Sequence, residues 1–191
     1  DTPFADGIEA GAGEDLIWLG LGADRVDGGT GIDTVIYQSL RSDFTLSFSG
    51  DVVRTTGPGG VDQLTGIERM QFADQFVRVG TSGADTLTRT EYPAEFLAGD
   101  GDDVIHGGWY DDTIDGGAGM DTLVCAFNRA AYTISIFNGQ RVIAGPEGTD
   151  VLVGVERILF TDGAVFLSTS SADILTGTDA DDVIAGAGGD D

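Results

Sequence analysis

One rule recurs every nine residues along this chain. Residues 98–124 read AGDGDDVIH, GGWYDDTID and GGAGMDTLV, with glycine near the start of each unit, aspartate sixth and an aliphatic residue eighth. Asp103, Asp112 and Asp121 hold the sixth place, and Ile105, Ile114 and Leu123 the eighth. Residues 1–36 keep the same register as DTPFADGIE, AGAGEDLIW, LGLGADRVD and GGTGIDTVI. There Asp6, Asp15, Asp24 and Asp33 are sixth, and Ile8, Ile17, Val26 and Val35 are eighth. The rule covers 80–124, where GTSGADTLT puts Asp85 sixth, and returns over 168–191, where Asp173, Asp182 and Asp191 are sixth. Two units are weak: the first has Pro3 and Phe4 where glycines belong, and RTEYPAEFL has Ala94 sixth, though Phe96 keeps the eighth place apolar.

The last three residues of each unit read as a short strand and the first six as a turn. Nine residues then make half a coil, and eighteen make a full coil with strands on two faces. Successive coils stack as parallel strands about 4.8 Å apart. Side chains alternate, so the eighth place points inward and the two sheets pack their aliphatics together. No coil buries much alone, so stability comes from stacking.

Tight turns favour glycine, which tolerates positive φ and lets carbonyls converge. Calcium takes six to eight oxygens at about 2.3–2.6 Å, and an ion midway between turns about 4.8 Å apart lies roughly 2.4 Å from each. The pattern therefore predicts calcium between stacked turns, bridged by aspartates and backbone carbonyls. The expected carbonyl donors lie in the turns of Gly11 and Gly13, Gly20 and Gly22, Gly29 and Gly31, Gly83, Gly99 and Gly101, Gly108, and Gly117 and Gly119. Expected partners are Asp15 with Asp33, Asp6 with Asp24, Asp85 with Asp103 and Asp121, and Asp173 with Asp191. Asp112 faces Ala94, so that position is expected to be weak or empty, and Asp182 has no mate. Tyr110 and Ala180 replace the fourth-place glycine, which puts those turn conformations in doubt.

Between the runs, 37–79 and 125–167 break the pattern. FTLSF and VVRTT around Ser49-Gly50-Asp51 read as a hairpin, GPGG as a second turn, and GIERMQF and FVRV as two more strands. Shifted by 88 residues the chain aligns on itself without a gap: Arg41 falls on Arg129, Asp62 on Asp150, Glu68-Arg69 on Glu156-Arg157 and Asp74 on Asp162. The organisation is thus run 1–36, irregular segment 37–79, run 80–124, irregular segment 125–167, and a cut run 168–191. Asp1 opens the chain without Met or a leader and GAGGDD stops before its strand, as expected for a piece of a longer protein.

Thirty-three acids against nine bases give a net charge of −24, which argues against nucleic acid as a partner. So acidic a chain repels itself when compact, and a fold that collects cations relieves this. No run is long enough to cross a membrane. Cys125 is the single cysteine, expected as a small buried hydrophobe. No HExxH or GxSxG motif occurs, His106 sits at a solvent-facing ninth place, and no catalytic residue is expected. Trp18, Trp109 and Tyr110 are candidates for exposed aromatics.

The nonapeptides resemble the RTX, or haemolysin-type calcium-binding, repeat family. The resemblance implies an all-β, calcium-bound parallel β-roll, with short hairpin segments between the runs. It also implies export through a type I secretion channel, folding on calcium outside the cell, and a place in a secreted or surface bacterial protein. The leading expectation is a calcium-driven folding and spacer module. A calcium-dependent module that binds polysaccharide or a cell surface is the alternative, and a fragment of an RTX enzyme the third.

Overall fold

A computed structural model describes residues 4–88, 92–167 and 183–185. Asp173, Asp182 and Asp191 lie outside the described residues. The chain divides into two compact units, Asp1–Ser82 and Gly83–Asp191. Among the described residues there are strands and two single 3-10 turns, Arg41–Asp43 and Arg129–Ala131, but no α-helix.

In unit 1 the nonapeptides form β1 (Gly7–Glu9), β2 (Leu16–Trp18), β3 (Arg25–Asp27) and β4 (Thr34–Ile36), each three residues long. They pair parallel with the strand eighteen residues on: Ile8 with Val26 and Ile17 with Val35. The irregular segment supplies β5 (Thr45–Ser49), β6 (Val52–Gly57), β7 (Gly60–Thr65), β8 (Arg69–Gln71) and β9 (Phe76–Val79). β7 stacks parallel on β3, with Leu64 on Val26, and β8 stacks parallel on β4, with Met70 on Val35. So the segment neither loops away from the roll nor merely caps it. Its second half is the next coil, and β5 and β6 are an antiparallel hairpin inserted before that coil closes.

Unit 2 repeats this plan. β10 (Thr86–Thr88), β12 (Val104–His106) and β14 (Thr122–Val124) stack parallel, with Leu87, Ile105 and Leu123 in line. β11 (Ala94–Leu97) and β13 (Thr113–Asp115) stack on the other face, with Phe96 against Ile114. The hairpin is β15 (Thr133–Phe137) and β16 (Gln140–Gly145), turned by Asn138 and Gly139 at φ 51° and 78°. β17 (Gly148–Val153) then stacks on β13, and β18 (Arg157–Phe160) on β14. β19 (Gly163–Leu167) runs antiparallel to β18 and carries β20 (Val183–Ala185) parallel on its far side. Each unit is a parallel β-roll.

The eighth-place side chains form the core. Val26, Val35, Leu64 and Met70 in unit 1, and Phe96, Ile105, Ile114 and Ile158 in unit 2, are almost completely buried. Each stabilises the roll by about 1.5–3 kcal/mol relative to exposure. Cys125 is buried and free. The repeated Arg, Phe and Asp outside the runs form a clip. The Arg41 backbone N–H donates to Asp74 at 2.8 Å while its guanidinium lies over Phe72, and Arg129, Asp162 and Phe160 repeat the arrangement.

Stacked turns leave no room for side chains. A Cβ on Gly117, at φ 90°, would strike the Gly99 carbonyl oxygen, and one on Gly119 the Gly101 oxygen. Gly50 also has positive φ, 56°, but faces open space. Gly50→Ala should therefore cost about 1 kcal/mol from backbone conformation alone, and Gly117→Ala clearly more, about 2–4 kcal/mol. Urea denaturation in calcium checks the order; equal losses would mean the turns are not packed against one another.

Candidate metal centre

Asp24, Asp33, Asp103, Asp112 and Asp121 each close a six-residue turn and reach back to the turn eighteen residues before. Asp24 Oδ1 accepts the Asp6 backbone N–H at 2.9 Å, and Asp33 Oδ1 that of Asp15 at 2.9 Å. Asp103 accepts from Asp85 at 2.7 Å, Asp121 from Asp103 at 2.9 Å, and Asp112 from Ala94 at 2.8 Å. The partners eighteen residues apart are thus in contact. So are partners at other spacings. Asp62 accepts from Asp24 and Asp150 from Asp112, both 38 residues on, while Glu68 accepts from Asp33 and Glu156 from Asp121, both 35 residues on.

Those last four residues escaped the nonapeptide reading. GPGGVDQLT (57–65) and GPEGTDVLV (145–153) are intact units, with glycine fourth, aspartate sixth and leucine eighth. The inserted hairpin puts them out of register with the earlier runs. GIE (66–68) and GVE (154–156) are shortened turns in which glutamate, one methylene longer, does the same work. Asp112, expected to face only Ala94, therefore also stacks on Asp150.

The second carboxylate oxygen carries the chemistry. Oδ2 of Asp15, Asp24, Asp33, Asp103, Asp112 and Asp121 is buried and has no hydrogen-bond partner. In Asp33, Asp112 and Asp121 it lies against the first glycine of its own turn, Gly28, Gly107 and Gly116. A buried bare carboxylate oxygen is costly and calls for a proton or a cation. Among the described residues no three Asp, Glu, His or Cys side chains cluster as a metal site. A cation here must draw on backbone carbonyls, and the turns are built for that. Gly11, Gly13, Gly22, Gly29, Gly31, Gly99, Gly101, Gly108, Gly117 and Gly119 all have positive φ, whereas Gly20, Gly83 and Tyr110 do not. Oxygen-only donors of this kind suit a hard cation such as calcium.

Burial raises several of these carboxyls above the ordinary aspartate range. Asp121 is pushed up to about 7, with Glu156, Asp103 and Asp102 adding repulsion. Asp150 is raised to about 7, again by burial first and then by Asp112, Glu147 and Asp111. Asp112 is raised to about 6, and Asp103 moves in the same direction. At Asp62, Tyr37 Oη donates to Oδ2 at 3.0 Å and Thr55 Oγ1 at 3.2 Å. Burial holds the Tyr37 phenol far above its usual range, so it stays a donor.

A family profile described as the RTX calcium-binding nonapeptide repeat, in four copies, matches residues 2–35, 96–124 and 167–191. The chain carries RTX calcium-binding nonapeptide repeats. The matched RTX stretches leave out the turns at 57–62 and 145–150, which this fold nevertheless stacks on them. Among solved structures, the crystal structure of the extracellular lipase LipA from Serratia marcescens is similar at 17% identity. That similarity covers 81% of this chain and 37% of the lipase, with a TM-score of 0.24. No curated protein matches the chain.

The raised carboxyls give the metal-free roll a pH dependence. Below about pH 3 they are protonated in folded and unfolded chains alike. As pH rises towards 7 the unfolded chain ionises while the folded one holds its protons, so stability is lost through that window. In EGTA the chain should keep more β-structure by circular dichroism at pH 5 than at pH 8, where it is lost, and Asp121→Asn, neutral throughout, should flatten the difference. Calcium should reverse the order, because protons compete with it for the same oxygens. Metal-free β-structure that increases with pH would contradict this account.

Proposed function

We propose that this chain is a calcium-binding module that folds when it meets calcium outside the cell, serving the secretion, folding and spacing of a larger secreted or surface protein. The observation that carries the reading is the set of six buried carboxylate oxygens without donors. A divalent cation between stacked turns would satisfy them and quench the repulsion of a chain with net charge −24. On this reading Asp15 and Asp33, Asp24, and Asp103 and Asp121 supply the carboxylates, and the glycine-turn carbonyls complete the shell. Bound calcium supplies charge neutralisation and a cross-link between coils, not chemistry on a substrate. The module has no catalytic role.

Calcium as a folding ligand fits a protein exported unfolded through a type I channel. A ligand that binds only the folded state stabilises it by about 2.7 kcal/mol per site at a hundredfold excess over Kd. Several such sites would turn a marginal chain from unfolded in a calcium-poor cytosol to folded outside. Circular dichroism during a calcium titration should show a coil-to-β transition, absent with magnesium. Asp103→Ala touches two turn pairs and should raise the calcium midpoint by about tenfold, equivalent to about 1.4 kcal/mol. Native β-structure and cooperative melting retained in excess chelator at pH 8 would sink the proposal.

A second reading, calcium-dependent binding of a polysaccharide, rests on a groove in unit 2. Its volume is about 430 Å³, and it is lined by Trp109, His106, Thr88 and Glu147, among others. Trp109 is 53% exposed and braced edge-on by Phe127, a rigid apolar face of the sort a sugar ring can cover. Trp109→Ala should abolish calcium-dependent retention on a glycan array while leaving the calcium-induced fold intact. Retention unchanged by that substitution, or absent from the wild type, removes this reading.

A further inference from the structure

The two units share one plan, yet they treat one aspartate in opposite ways. Asp62 in unit 1 and Asp150 in unit 2 correspond across the 88-residue repeat. Each stands sixth in a turn that follows the inserted hairpin, and each accepts the backbone N–H of the sixth-place aspartate on the coil before, at 3.0 Å. Their second oxygens differ. Around Asp62, the Tyr37 and Thr55 hydroxyls lie 2.8 Å apart and both donate to Oδ2. Tyr37, Thr55 and Asp62 are all buried, so this is a closed internal network.

Unit 2 has no such pair. Cys125 stands where Tyr37 stands, and Ile143 where Thr55 stands. The backbone register confirms the match: Thr55 faces Asp62 across β6 and β7, and Ile143 faces Asp150 across β16 and β17. Neither replacement offers a hydroxyl. The Tyr132 phenol donates to Glu147. Charge changes in the same place: Ala23 and Gly59 in unit 1 become Asp111 and Glu147 in unit 2. Two hydroxyl donors are thus lost and two carboxylates gained.

The turn before each of them carries a bare buried oxygen, Oδ2 of Asp24 in unit 1 and of Asp112 in unit 2, so the units differ at Asp62 and Asp150 and not one coil earlier. Asp112 is 3% exposed, and its unpartnered Oδ2 is aimed into its own turn beside Gly107. That turn stacks tightly on 145–150. A Cβ on Gly148 would strike the Tyr110 carbonyl oxygen, and the Thr149 N–H donates to Asp111 at 2.8 Å. The 107–112 turn, with its bare buried carboxylate oxygen, therefore stacks directly on the turn that Asp150 closes, under an excess of negative charge.

We propose that the turn closed by Asp150, which lies outside the matched repeats, binds calcium together with the Asp112 turn, whereas its counterpart at Asp62 is closed by the Tyr37 and Thr55 hydroxyls and takes no ion. This rests on the calcium reading above. On that basis unit 1 carries a metal-independent closure where unit 2 carries one more calcium than its repeat pattern announces.

Counting bound calcium by native mass spectrometry on the full chain, with equilibrium dialysis as a check, tests the assignment. Asp150→Asn keeps the shape and the acceptor for the Asp112 N–H, and should bind one ion fewer than wild type. Asp62→Asn should leave the count unchanged. The double variant Tyr37→Phe with Thr55→Val frees the Asp62 oxygen and should gain one ion, which keeps the test decisive if Asp150→Asn does not fold. Equal counts for Asp150→Asn and Asp62→Asn, or a double variant that gains nothing, overturn the proposal while leaving the calcium reading intact. A wild type that binds no calcium at all overturns both.

Discussion

A single hydrogen bond organises this molecule: the backbone N–H of one sixth-place residue, held by the carboxylate of the sixth-place acid on the next coil. It fixes the rise between coils and locks the side chain inside its turn. It also uses only one of the two carboxylate oxygens, and the other is carried into a buried position where water does not reach it. A fold built this way generates its own demand for cations. Burial of the aliphatic column stabilises the strands, but it also drives the carboxylates inward, so the same packing that holds the roll together creates the charge it must neutralise.

The inserted hairpins show how much disturbance that bond tolerates. In unit 1 the step along one face lengthens from 18 residues, Asp6 to Asp24, to 38 residues, Asp24 to Asp62. On the other face it goes from 18 residues to 35, and glutamate replaces aspartate. Yet Leu64 still lands on Val26 and Met70 on Val35. The coil is defined by which backbone groups meet, not by chain length between them. Glu68 and Glu156 show the physical margin: in a turn shortened to three residues, a side chain one methylene longer still reaches the same backbone N–H.

The two units also surround an inward carboxylate differently, with hydroxyl donors at Asp62 and with further acids at Asp150. Hydroxyl donors need no solute and work under any ionic conditions. A cation adds charge neutralisation, but only where the solution supplies it. The exchange of Tyr37 and Thr55 for Cys125 and Ile143, with Ala23 and Gly59 becoming Asp111 and Glu147, changes those surroundings while β6 and β7 and their counterparts β16 and β17 keep the same pairing.

The nonapeptide period alone determined the strand and turn alternation, the inward eighth place and the eighteen-residue contacts, because a strict repeat of glycine, aspartate and aliphatic admits one stacking register. Ile105, Ile114 and Leu123 were legible as core, and Asp103 and Asp121 as neighbours, before any coordinates. The hairpin at 45–57 was also visible, from alternation around a glycine turn. Only the tertiary structure decided that 60–65 and 69–71 are coils of the roll, since an insertion hides a repeat from any fixed-period reading even when its Asp62 and Leu64 are intact. Only the structure, too, could show that each carboxylate spends one oxygen on a neighbour's N–H, and that Tyr37, distant in sequence from Asp62, takes up the other. Those facts depend on which side chains meet across 25 residues or more, and pattern along a chain carries no information about such meetings until the chain is folded.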